Sequence, residues 1–146
     1  MSAQARDDTC EFCTIARGEN QDVDVVCEEA GWIAFFPLDP ATPGHTLVIP
    51  RVHVADLWRA GPALASELTA GVVKVGLAID AAVAPEGMNL ITSAGTAAEQ
   101  TIFHLHLHVV PRWRQDGFGQ IWPSGSKYED ANLGDVADRI REACAR

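Results

Sequence analysis

Positive charge is what this sequence has least of. Eleven Lys and Arg residues stand against 20 Asp and Glu, a net charge of −9. Holding a long polyanion takes Lys and Arg in number, so nucleic-acid binding as the main task is disfavoured. A small phosphorylated ligand met by a few local donors is not. Long apolar runs are missing too: no stretch approaches the ~20 residues of a transmembrane helix, and no membrane partner is expected. The segment from Met1 to Cys10 is polar and has no apolar h-region, so no signal peptide is expected. Cysteine is scarce. Cys10, Cys13, Cys27 and Cys144 would make a thin disulfide framework, and the expectation is a cytoplasmic protein with reduced thiols.

What is present is ordinary globular material. With 146 residues, 47% of them hydrophobic and 21% charged, the chain fits one domain, 1–146, and excludes disorder. A chain of this size buries roughly 68–70% of the surface it exposes when unfolded. Val25–Cys27 and Trp32–Phe36 read as two strands of a hairpin. Pro37–Gly44 holds three prolines and a glycine, a loop, and His45–Ile49 reads as a strand stopped by Pro50. Then the period changes. Leu64, Leu68, Val72, Val75, Ile79 and Val83 are spaced 4, 4, 3, 4 and 4, one face of a long helix with Pro62 in its first turn. Gly71 and Gly76 inside that helix point to close packing against a sheet. Met88–Thr92 and Phe103–Val110 read as two further strands around a small-residue loop, Ser93–Gln100. Leu133, Val136, Ile140 and Cys144 make a last helical stripe behind an Asn132 N-cap. Strands and helices are segregated, which predicts an antiparallel α+β fold.

Three histidines alternate with apolar residues in His104-Leu105-His106-Leu107-His108-Val109-Val110. On a strand, residues two apart share a face at about 6.6–6.8 Å, so the imidazoles line one face and Leu105, Leu107 and Val109 enter the core. Three stacked imidazoles gain nothing structural over Thr or Val. Two chemistries remain open on spacing alone: a catalytic metal held by imidazoles, or an imidazole that attacks phosphorus while its neighbours fix its tautomer. Cys10-x-x-Cys13, by itself, is equally a redox pair, half of a metal site or chance.

The flanking residues resemble the histidine-triad family. Gln100-Thr101 precedes the triad as Gln-Ser or Gln-Thr does there; Gly44-His45-Thr46-Leu47-Val48-Ile49-Pro50-Arg51 matches the upstream Gly-His strand, with His53 at the expected distance. Cys10-Glu11-Phe12-Cys13 matches the start of bacterial members, and Asp116-Gly117-Phe118-Gly119 with Trp122 resembles their C-terminal region. The likeness is to the nucleotide-hydrolase branches rather than the galactose-1-phosphate uridylyltransferase branch.

That resemblance implies a five-stranded antiparallel sheet with one long helix and a C-terminal helix, paired as a symmetric homodimer, and a small-molecule nucleotide substrate, adenosine by family habit. It implies cleavage at the α-phosphate of a phosphoramidate or dinucleoside polyphosphate, with His106 the nucleophile, His108 a donor to phosphate oxygens and His45 beside it. Gln100 and Thr101 would contact the phosphate. Cys10, Cys13, His53 and His104 would hold a structural Zn²⁺, tying an N-terminal segment of about residues 8–20 to the triad, while the tail and helix over about 115–146 reach towards the partner. Cys27 and Cys144 are expected to be buried thiols.

Three positions depart from the family pattern. Pro37 stands where an Asp usually meets the ribose, with Asp39 two residues on as its replacement. Ser93 takes the place of the usual Asn before the phosphate loop, and Glu99 that of a Gly. Asp39 and Ser93 therefore join Gln100 and Thr101 as substrate-binding positions. Arg112, Arg114 and Lys127 would either steer phosphate or be solvated charges; Trp113 and Trp122 would stack a base or pack at an interface, with Trp122 favoured for the interface. A metallohydrolase, a nucleotide-sensing module without turnover and a Cys10/Cys13 redox switch are the rival readings.

Overall fold

A computed structural model describes residues 7–125, 128 and 132–146. Its elements run α1 (Glu11–Ala16), β1 (Val25–Glu28), β2 (Trp32–Phe35), β3 (Thr46–Pro50), α2 (Leu57–Val83), β4 (Gly87–Ile91), a 3-10 turn at Thr96–Ala98, β5 (Leu107–Arg112) and α3 (Leu133–Cys144). The five strands form one antiparallel sheet in the order β1-β2-β3-β5-β4. The expected α+β architecture, with one long helix and a C-terminal helix, is what the chain adopts.

Side chains alternate across this sheet, and each set has its own cover. Trp32, Ala34, Val48, Leu107 and Val109 face α2, where Leu68, Val72, Val75 and Ile79 meet them. Ile33, Phe35, Leu47 and Ile49 face the other way, onto Phe12, Ile15 and Ala16 of α1. Both faces being covered explains why β2 and β3 read as unbroken apolar runs rather than alternating ones. Burial of each large aliphatic or aromatic side chain is worth about 1.5–3 kcal/mol, so the two clusters together hold the sheet between its helices.

α2 begins earlier than its apolar spacing indicates. Asp56 caps it by accepting from the Arg59 N–H at 3.2 Å, and a first turn runs to Ala60. Gly61, at φ 75° and ψ 162°, then breaks the helix, and Pro62 restarts it where a missing N–H costs nothing. A Cβ on Gly71 would lie 2.6 Å from the Trp32 ring, so the helix approaches the sheet through that glycine. Gly76 meets only Met88 Sδ at 3.6 Å and marks no such approach. By length and by a mean hydropathy of 1.4 over its most apolar stretch, α2 could span a bilayer. The sequence reading did not anticipate that; Leu68, Val72, Val75 and Ile79 are buried against the sheet, while Val73 and Leu77 of the same helix are exposed.

Two further expectations are corrected. The last strand begins at Leu107, not Phe103, because the backbone before it is committed elsewhere: Leu105 N–H donates to Val54 O at 2.7 Å, outside any ladder. Cys144 is exposed and Cys27 half-buried, so neither is a fully buried thiol. Asn132 does cap α3, but the stripe Leu133, Val136 and Ile140 is exposed, and no residue of that helix is buried.

Candidate functional site

The alternation of the triad survives without the strand ladder. Leu105 and Leu107 enter the α2 core, while His104 and His106 turn to the α1 face, where Phe12 stands edge-on to both rings (centroids 6.0 and 5.2 Å). Phe12 is a wall residue that the sequence reading passed over, although its place between the two cysteines was a signal for it.

Hydrogen bonds fix the tautomer of each imidazole, because a ring nitrogen facing a carbonyl must donate and one facing an N–H must accept. His106 Nδ1–H donates to His104 O at 2.7 Å, leaving an Nε2 lone pair. The carbonyl of His106 in turn accepts from Thr92 Oγ1 at 2.9 Å. Ala41 N–H donates to His45 Nδ1 at 3.0 Å, so His45 Nε2–H donates to His108 Nδ1 at 2.9 Å and His108 keeps its Nε2–H to offer. The His106 and His108 rings lie 5.0 Å apart. Burial pushes His45 and His106 below the ordinary imidazole pKa, and burial with its two histidine neighbours takes His108 to about 4. All three are neutral at pH 7. The pair presents one lone pair and one N–H donor side by side, the equipment for attack on phosphorus beside a phosphate oxygen.

Both rings open into a cavity of about 350 Å³. Phe12, Ile15, Val23, Phe35, Phe36 and Leu38 give it an apolar wall large enough for a planar ring, and Pro37, Asp39 and Thr101 also line it. The candidate substrate residues therefore divide. Asp39 and Thr101 reach the cavity; Ser93 and Gln100 are not in its lining. Gln100 is buried, and its amide is spent on the backbone: Nε2 donates to Ala55 O (2.7 Å) and Ile102 O (3.2 Å), and Oε1 accepts from Gly95 N–H (2.8 Å). It braces the loop. Glu99 closes that loop at φ 65°, in the left-handed region where glycine is the usual occupant.

Behind the triad, Cys10, Cys13, His53 and His104 come together with all ligand atoms within 4.8 Å of one another. Sγ to Nδ1 distances are 3.2 Å (Cys13–His53), 3.5 Å (Cys13–His104) and 3.6 Å (Cys10–His104). A tetrahedral ion at ordinary Zn–S and Zn–N lengths sets such separations at about 3.5 Å, so these three sulfur–nitrogen distances are close to those of a zinc site. His104 Nε2–H donates to Pro50 O at 2.9 Å, which turns Nδ1 to the thiols, a familiar support for a ligating imidazole. Burial and the adjoining Cys10 push the Cys13 thiol up to about 11; a bound dication reverses that preference by stabilising the thiolate.

The remaining candidates lie outside. Arg112 is committed to Asp116 (2.6 Å) and Asn89 (2.8 Å) with Phe118 against its guanidinium, so it braces the segment after β5 rather than steering phosphate. That pairing holds the Asp116 carboxyl well below the usual carboxylate range. Arg114 is exposed beside Glu86, Trp122 is exposed, and Lys127 lies outside the described residues.

Comparison with known proteins agrees with this geometry. The HIT domain family matches residues 18–115. A HIT family protein of Bacillus anthracis, solved by crystallography, is 38% identical with a TM-score of 0.82, covering 93% of this chain and 97% of that one. A zinc-bound histidine triad family protein of Mycobacterium smegmatis is 31% identical with a TM-score of 0.65, covering 92% and 97%. The adenosine 5′-monophosphoramidase of Schizosaccharomyces pombe is 32% identical over 80% of this chain and 84% of its own length.

Proposed function

This chain belongs to the HIT domain family, and from that premise we propose that it hydrolyses a nucleotide derivative at the α-phosphate through a nucleotidyl intermediate on His106. The observation that carries the reading is the single hydrogen bond from His106 Nδ1–H to the carbonyl of His104. It holds the ring in the one tautomer whose Nε2 can attack, at a pH where burial keeps that nitrogen unprotonated. His108 Nε2–H, oriented by His45, donates to a non-bridging oxygen as charge builds there, and Thr101 supplies a hydroxyl at the cavity lip. The leaving group departs as the His–P bond forms, and water then attacks phosphorus, releasing the nucleoside monophosphate and freeing His106.

The apolar wall of Phe12, Ile15 and Leu38 takes the base, adenine by the likeness to a monophosphoramidase, and Asp39 takes the ribose in place of the residue that Pro37 replaces. Zn²⁺ on Cys10, Cys13, His53 and His104 is structural: two sulfurs and two nitrogens close the coordination sphere, and no open position is left for catalysis. It binds α1 to the residue whose carbonyl orients His106. The chain works as one domain, 1–146, in a twofold homodimer in the cytoplasm, with the exposed Trp122 at the interface.

The test is a rapid quench with adenosine phosphoramidate, then intact-mass analysis and digestion. An adduct of one nucleotide on the peptide spanning residues 104–112, absent in His106→Ala, supports the reading. Bound ligand with neither adduct nor product would replace it with a nucleotide-sensing module.

A further inference from the structure

Residues 104–106 include the nucleophile, yet they lie outside the strand ladder, because β5 begins at Leu107. The register of β5 with β4 pairs Ile91 with His108, which two residues on would set Ser93 opposite His106. β4 stops at Ile91 instead, and the Thr92 side chain makes the link: its Oγ1–H donates to His106 O at 2.9 Å. Leu105 N–H donates to Val54 O at 2.7 Å. Val54 lies beyond the end of β3 and Thr92 beyond the end of β4, the two neighbours of β5 in the sheet. The stretch is held between continuations of both. Gln100 binds the same two continuations from the start of the segment, through Ala55 O and Gly95 N–H.

The Val54 and Thr92 bonds act on the two ends of one contact, the hydrogen bond from the His106 ring to the His104 carbonyl. A peptide unit is rigid and planar, so the Leu105 N–H and the His104 carbonyl turn together. Bonding that N–H to Val54 aims the carbonyl, and this carbonyl accepts from His106 Nδ1–H at 2.7 Å. Val54 thus sets the acceptor. Thr92 sets the residue that donates, since fixing the His106 carbonyl fixes the backbone from which the ring projects. The first control runs from main chain to main chain and needs no particular side chain. The second depends on one hydroxyl. Threonine suits the task, because β-branching restricts χ1 and makes the hydroxyl a stiff strut.

We propose that Thr92 is a positioning residue for the nucleophile: its hydroxyl holds the His106 main chain in the place from which Nε2 reaches phosphorus. Thr92 is not in the cavity lining, so its effect on the reaction runs through His106. The inference rests on the hydrolytic reading above and adds a residue that neither the triad nor its flanking motif points to. Misplacing an attacking atom by about 1 Å can cost about 100-fold in rate, and losing one anchor of two is expected to cost about 10-fold. The apolar wall and Asp39 are untouched, so the loss falls on kcat rather than on KM.

Two variants test it, with adenosine phosphoramidate as substrate. Thr92→Val keeps the β-branch and removes the donor, whereas Thr92→Ser keeps the donor. In Thr92→Val, kcat should fall about 10-fold with KM within about 2-fold of wild type. Its Tm should drop by about 5 °C or less, as for one lost hydrogen bond, with zinc content unchanged. Thr92→Ser should recover most of the kcat. Nitrogen NMR of the imidazoles gives a readout that needs no turnover. The single Nδ1–H tautomer of His106 should give way to a mixture in Thr92→Val and return in Thr92→Ser. An unchanged kcat in Thr92→Val, an equal loss in Thr92→Ser, or a loss that only tracks the unfolded fraction overturns the proposal and leaves hydrolysis in place. A wild type that turns over nothing overturns the hydrolytic reading instead. The spectra then decide on Thr92 by themselves, and one tautomer shared by all three proteins overturns its role.

Discussion

His45 Nε2 lies 2.9 Å from His108 Nδ1, and the Ala41 N–H on the far side of His45 decides which of them donates. One backbone amide in a proline-rich loop therefore sets the proton positions of two rings, and leaves His108 with a donor facing the cavity. In His45→Ala that control is lost, and His108 can rotate or change tautomer. The expected result is a fall in kcat of about 10- to 100-fold with little change in KM. Steady-state kinetics on an adenosine phosphoramidate would measure it, and an unchanged kcat would remove His45 from the machinery.

Metal removal separates a structural ion from a catalytic one. A chelator strong enough to strip zinc, or Cys13→Ser, should lower Tm by about 10 °C or more, with turnover lost only as the fold is lost. Scanning calorimetry beside an activity assay gives both numbers. If turnover stops while Tm holds, the ion belongs to the chemistry and the metallohydrolase reading takes over.

Stability should fall as the solution is acidified. His108 titrates near 4 in the folded protein and at the ordinary value of about 6.5 when unfolded. Between those values the unfolded chain binds a proton that the folded chain does not, so stability falls as pH drops from 6.5 to 4, by up to a tenfold change in the unfolding constant per pH unit for this one group. Urea melts at pH 7, 6 and 5 would show the slope, and His108→Asn should reduce it.

Two glycines of α2 should respond in opposite directions. Gly71→Ala places a methyl 2.6 Å from Trp32, and the overpacking cost of about 1–3 kcal/mol exceeds the gain in helix propensity. Gly76→Ala has a flexible Met88 sulfur at 3.6 Å and should stabilise the protein by up to about 1 kcal/mol. Denaturant midpoints of the two variants, measured together, check both signs.

Much of this was legible in the residue order. The helix face from Leu64 to Val83 follows from its period, and the four strands before the triad from short β-branched or aromatic runs bounded by turn residues, of which β2 and β3 are buried on both faces. The Cys10, Cys13, His53 and His104 set was legible only through a resemblance, because ligands 94 positions apart meet by folding and leave no local trace. Tertiary partners hid the rest. Phe103–His106 carries a strand pattern, yet Val54 and the His106 ring take the backbone groups that a ladder would need. Gln100 has the right type and place to touch phosphate, but three backbone groups claim its amide first. Nothing in the stripe of α3 says that it stays uncovered within its own chain.

Six residues are too few to hold a helix in water, so α1 exists only while it is docked. Phe12 and Ile15 are at once its grip on the sheet and one side of the cavity. Cys10 and Cys13 flank Phe12 on that same short helix, so whatever those two thiols hold also holds one side of the chamber in place.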